Sequence, residues 1–135
     1  MIVRPQTIVF ISALLVACPS SEAREERAVL EAIYALRDSS SDDLPTRHKL
    51  IDALSKLPAS TSRARDARDA CADAYRLMAE GKEATLKVKA DLAQLGAAPK
   101  NALADLAVAE EKLRKSEASM LACQKTAAEL SLQRR

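Results

Sequence analysis

Apolar residues recur every three or four positions through most of this chain, the period of one face of an α-helix. Val29, Leu30, Ile33 and Leu36 form the first such stripe. Ser20 or Ser21 precedes it as an N-cap, and Glu22, Glu25 and Glu26 sit near the positive end of the helix dipole. The polar run Ser39-Ser40-Ser41-Asp42-Asp43 ends this helix. Pro45 opens a second, with Leu50, Ile51, Leu54 and Leu57 facing inward and Pro58 closing it. A third helix is predicted to start after Ser60-Thr61-Ser62 and to run to Leu95, with Gly96 as its C′ residue. Residues 97–101 form a connection, and a fourth helix continues towards Arg135. Each of the last two would be about 45 to 50 Å long at 1.5 Å per residue.

The two long helices can be tested against each other. In an antiparallel hairpin, residues that face one another lie at equal distances from the turn. Cys71 and Cys123 are equidistant from Ala97, beside the break marked by Gly96 and Pro99. The stripe through Cys71 comprises Ala67, Ala74, Met78, Gly81, Thr85, Val88 and Leu92. It faces Ala127, Met120, Ser116, Leu113, Ala109, Leu106 and Ala102, and neither face carries a charge. Sizes alternate, with Gly81 opposite Leu113 and Ala74 opposite Met120, which lets two helices approach and fill the gap between them. The expected architecture is therefore all-α: two short N-terminal helices packed on a long antiparallel hairpin, stapled by a Cys71–Cys123 disulfide. Leu77, Leu86, Val108 and Leu121 lie off the seam and are expected to receive the two short helices, the alternative being that some of them form a partner groove on a part of the hairpin left uncovered.

Composition supports helices over sheets. Alanine supplies about a fifth of the 135 residues, only two are glycine, and β-branched residues are sparse after Val29. The formal net charge is +2, from 21 basic and 19 acidic side chains, so no global field draws nucleic acid. Arg63, Arg65 and Arg68 interleave with Asp66, Asp69 and Asp73, which cancels a local phosphate-binding patch. With Phe10 in the apolar N-terminal segment, Tyr34 and Tyr75 are the remaining aromatics, too few to suggest base stacking or an aromatic-lined pocket.

No catalytic, cofactor or metal motif emerges. The sole histidine, His48, is expected to pair on the surface with Asp52 one turn on. Two cysteines 52 residues apart without neighbouring histidines suit a structural bridge better than a zinc site or a redox couple. Glu110-Arg114, Glu111-Lys115, Arg76-Glu80 and Glu83-Lys87 have the spacing of solvated intrahelical ion pairs.

The N-terminus reads differently. Arg4 precedes an unbroken, mostly apolar run from Thr7 to Cys18, too short for the roughly 20 residues of a spanning helix but suited to a signal-peptide core. The run ends Leu15-Val16-Ala17-Cys18, which resembles the lipobox of bacterial lipoproteins. That resemblance covers residues 1–18 only. It implies a signal peptide over residues 1–17, cleavage before Cys18, and lipid attachment to its thiol. Residues 18–21 would be a short tether and residues 22–135 a single helical domain. Pro19 stands where that family places an aspartate for inner-membrane retention, which favours the outer membrane. Multiple acyl chains hold a protein firmly where one does not.

The expectation is a membrane-anchored, non-catalytic helical adaptor that docks an envelope protein from the periplasmic face. It is similar to the pilotins of secretion systems in architecture alone. The alternative is a soluble secreted helical inhibitor or binding protein, released by ordinary cleavage after Ala23.

Overall fold

The computed structural model describes residues 19–95 and 101–132. The expected signal peptide, Cys18, residues 96–100 (Gly96 and most of the expected connection) and the C-terminal residues 133–135 lie outside the described residues. The described chain forms four helices and no strand: α1 (Ser21–Asp38), α2 (Leu44–Ser55), α3 (Ser62–Leu95) and α4 (Ala102–Leu132).

Local chemistry sets the helix ends. Ser20 caps α1 by accepting from the Ala23 N–H at 3.2 Å, and Glu22 lies in its first turn. At the other end Ser39 returns both its N–H and its hydroxyl to the Leu36 carbonyl. Asp43 caps α2 through the Thr46 N–H at 3.1 Å, with Pro45 in the first turn, where a missing N–H costs nothing. Thr61 accepts from the Ala64 N–H to start α3.

The long helices meet along a seam of small residues. Ala67, Ala74, Gly81 and Val88 are buried on α3, and Ala102, Ala109, Ser116, Cys123 and Leu130 on α4, each set recurring every seven residues. A seven-residue period is the one that keeps two helices in register as they wind around each other. The buried Ser116 hydroxyl is satisfied by the Leu113 carbonyl at 2.6 Å. Cys71 and Cys123 are joined by a disulfide across a Cα–Cα distance of 4.5 Å. Ten residues along α3, a Cβ placed on Gly81 would lie 2.8 Å from Leu113 Cγ. The lack of a side chain at Gly81 therefore allows Leu113 to close on the α3 backbone.

α1 and α2 lie against one end of this pair. Val29, Leu30, Ile33 and Leu36 of α1 and Ile51 and Leu54 of α2 join Ala67, Cys71, Ala72, Ala74, Tyr75 and Ala79 of α3 in one core. Polar ties frame it. The Ser60 N–H donates to Glu25 at 2.7 Å, and the Ser60 hydroxyl donates to the same carboxylate. The Thr61 hydroxyl donates to Glu26, which Arg63 also contacts. Arg68 donates to the Leu57 carbonyl at 2.9 Å. Lys82 holds the α1–α2 loop through the Ser41 carbonyl and the Asp42 carboxylate.

Two expectations are corrected here. Leu86, Val108 and Leu121 do not receive the short helices; they are 46%, 54% and 69% exposed, and Leu77 is half-buried. The face that does receive them carries Ala72, Tyr75 and Ala79. Small residues there let α1 and α2 approach, and a sequence search for large apolar residues passes over them. Glu80 and Glu83 also turn away from their own helix. Lys112 of α4 takes Glu80 at 2.8 Å, and His48 of α2 takes Glu83 at 2.7 Å. Arg76 pairs with Asp73 instead, Arg114 with Glu111 one turn back rather than with Glu110, and Lys115 reaches Glu111 at 3.5 Å as expected.

Candidate functional site

Two surfaces merit attention, one built by the braced end of the molecule and one by the free end of the hairpin. At the braced end a cleft of about 330 Å³ opens between α1, α3 and α4. Ile33, Tyr34 and Arg37 form its α1 wall, Tyr75 its α3 wall, and Met120, Cys123, Gln124, Ala127, Ala128 and Ser131 its α4 wall. The sequence argued against a pocket from the scarcity of aromatics. Folding instead brings Tyr34 and Tyr75 to the same cleft, with the disulfide partner Cys123 beside them.

Each tyrosine is backed by an arginine. The Arg37 guanidinium lies 4.8 Å from the Tyr34 ring centre, and that of Arg47 lies 5.3 Å from the ring of Tyr75. Cation–π contacts of this kind are strongest where water is excluded. Arg47 is such a case: it is 5% exposed, and its Nη2 also points at the Met78 thioether at 3.7 Å. Among the described residues it has no carboxylate partner. Arg37 is bound to Asp38 through two hydrogen bonds, of 2.7 and 3.2 Å. That contact raises the Arg37 pKa above and lowers the Asp38 pKa below the ordinary values. Burial pushes the Tyr75 phenol up, against the smaller opposing pull of Arg47 and Arg37. The phenol is therefore protonated at neutral pH and available as a donor.

Arg47 was not among the residues the sequence picked out. Its signal, a cation on the inward side of a helix otherwise read as apolar, is visible only once the register of α2 on α3 is known. His48 does not pair with Asp52. It reaches Glu83 at 2.7 Å, with both side chains close to half exposed, because α2 crosses α3 and brings the two together. The contact ties α2 to α3 and forms no enclosed acid–base pair. Of the other sequence-predicted site residues, Cys71 and Cys123 are joined, and Cys18 lies outside the described residues. Among the described residues no group of three or more metal-binding side chains converges, and no helix is long and apolar enough to cross a membrane.

The second surface begins where α2 ends its ties to α3 at Glu83. Residues 84–95 continue for about 18 Å, paired with the start of α4. Leu86, Leu92, Leu103, Leu106 and Val108 are all exposed on this segment, Leu103 at 82%. Even the seam residues Leu92 and Leu106 are only partly covered, because two helices alone cannot enclose a leucine from every side. Leu121 and Leu132 are exposed further along α4, so this end holds the larger share of the exposed apolar side chains rather than all of them.

Comparison with protein-family models, with curated proteins and with solved structures finds no match for this chain.

Proposed function

We propose that this protein is an exported, lipid-anchored helical adaptor of the bacterial envelope, non-catalytic, which docks a helical segment of another envelope protein on the free end of its α3–α4 hairpin. In this reading two short helices brace one half of a long antiparallel hairpin, the disulfide locks that half, and the other half is the working surface. One observation carries the docking part: five of the nine large apolar side chains exposed among the described residues, Leu86, Leu92, Leu103, Leu106 and Val108, lie beyond the reach of α1 and α2, on a segment with its own well-packed seam of Val88, Ala102 and Ala109. An amphipathic partner helix laid across the pair would complete a layer that the chain leaves open.

The lipobox resemblance at Leu15-Val16-Ala17-Cys18 supports the anchor. Helix α1 starts at Ser21, three residues after Cys18, so a lipid there would hold the braced end within roughly 10 Å of the bilayer at ~3.4 Å per residue. The outer membrane is the favoured location, with Pro19 following the cysteine. Detergent phase partitioning tests this. The native chain is expected in the detergent phase and Cys18→Ser in the aqueous phase; equal partitioning of the two would return the protein to a soluble, secreted binding role.

A further inference from the structure

The cleft between α1, α3 and α4 is separate from the hairpin tip and has a chemistry of its own. Its α4 wall is made by Met120, Gln124, Ala127, Ala128 and Ser131, residues that share one helical face. From first to last they extend about 16 Å along the axis. Ala127 and Ala128 keep this wall low, leaving a channel where larger side chains would have closed α4 onto α1. At about 330 Å³ the space falls at the small end of ligand pockets, and its mix of apolar walls with few polar groups is the one such pockets use.

Charge is concentrated at one end. Tyr34, Arg37 and Tyr75 stand there together, with Arg47 behind Tyr75. Asp38 offsets Arg37, and Arg47, which stands behind Tyr75 and does not line the cleft, has no carboxylate partner among the described residues. Because Arg47 is buried, water screens its field poorly. The Tyr75 phenol adds a neutral donor. At the other end Ser131 gives its hydroxyl to the Ala128 carbonyl, and the lining there is uncharged.

We propose that this cleft binds a small anionic amphiphile, a medium-chain carboxylate, with its chain along the alanine wall of α4 and its head group at the Tyr34–Arg37 end. The apolar length of the wall recognises the chain, and the arginine-backed tyrosines recognise the carboxylate.

The chain has two tyrosines outside its N-terminal segment and no tryptophan, so its ultraviolet emission reports on the cleft directly. Purified protein with the Cys71–Cys123 bridge intact would be titrated with dodecanoate, dodecanol and dodecyltrimethylammonium, each kept below micelle formation, and followed by tyrosine emission and calorimetry. Saturable one-to-one binding of dodecanoate is expected, with the alcohol and the cation each at least about tenfold weaker. Ala128→Leu fills the channel from an exposed helical position. It is expected to weaken dodecanoate at least about tenfold with the unfolding temperature unchanged. Ser131→Leu, at the uncharged end, provides a second variant with the same expected result. Absence of saturation, equal affinity for the alcohol, or full affinity in both variants would overturn the proposal. A response seen only with phosphatidylglycerol vesicles, and not with dodecanoate, would overturn it too, by assigning the cleft to membrane lipid.

Discussion

Gly81 shows how one residue sets the spacing of the two long helices. A Cβ there would stand 2.8 Å from two atoms of the Leu113 side chain and 3.3 Å from the Leu113 backbone nitrogen. Alanine in place of glycine gains up to about 1 kcal/mol of helix propensity. Overpacking a close contact costs roughly 1–3 kcal/mol, so Gly81→Ala is expected to destabilise by about 1 kcal/mol net. Leu113→Ala in the same chain should convert that loss into little change or a gain, since the obstacle is then gone. Chemical denaturation of the two single variants and the double variant measures the coupling; additive effects would show that the two side chains do not meet. Leu54 is fully buried where α2 joins the core, and Leu54→Ala should cost about 2–5 kcal/mol in the same assay. At this scale the sequence was legible where a constraint is pairwise. The cysteines and the Gly81–Leu113 contact follow from two positions having to be equidistant from one turn. Arg47 on Tyr75 and His48 on Glu83 were not legible, because they depend on how α2 crosses α3, and no periodicity within either helix encodes that register.

At the scale of elements, the long pair and the short pair are held by different chemistry. The disulfide closes a loop of 52 residues, and its removal by Cys71→Ala with Cys123→Ala should cost about 4 kcal/mol in the chain-entropy account. Equilibrium unfolding of the oxidised and the substituted chain checks this. A loss near zero would mean that the alanine-rich seam holds the hairpin unaided. The short helices rely more on carboxylates. Hydrogen bonds from Ser60, Lys82 and Thr46 hold Glu25, Asp42 and Asp43 respectively below their ordinary pKa values. A carboxylate whose folded pKa is lowered adds stability above its unfolded value and gives it up as pH falls through the folded one. Acidification through and below the ordinary carboxylate range should therefore loosen α1 and α2 while the bridged α3–α4 pair keeps its protection. Hydrogen exchange at neutral and acid pH measures the order, and loss of protection in the hairpin first would contradict it. Helix boundaries were readable because caps and prolines announce them. The face of α3 that receives α1 and α2 was not, since alanines mark it and alanine is everywhere in this chain.

For the molecule as a whole, the four helices divide their work unequally. The braced half has a closed core, a bridge and a cleft edged by Arg37, whereas the other half has a seam but no cover. Sequence periodicity foretold the helices and the bridge; it could not say which leucines would stay bare, because exposure depends on where α1 and α2 stop. The adaptor reading rests on that bare end, and site-specific photocrosslinking in intact cells is its most direct test. A photoreactive residue at Leu103 on the tip would be compared with one at Ser55 on the braced half, with Cys18 intact in both. The account predicts a discrete crosslinked partner from the Leu103 position and none from Ser55. Equal capture from both positions, or a partner taken only from the braced half, would contradict docking at the hairpin tip.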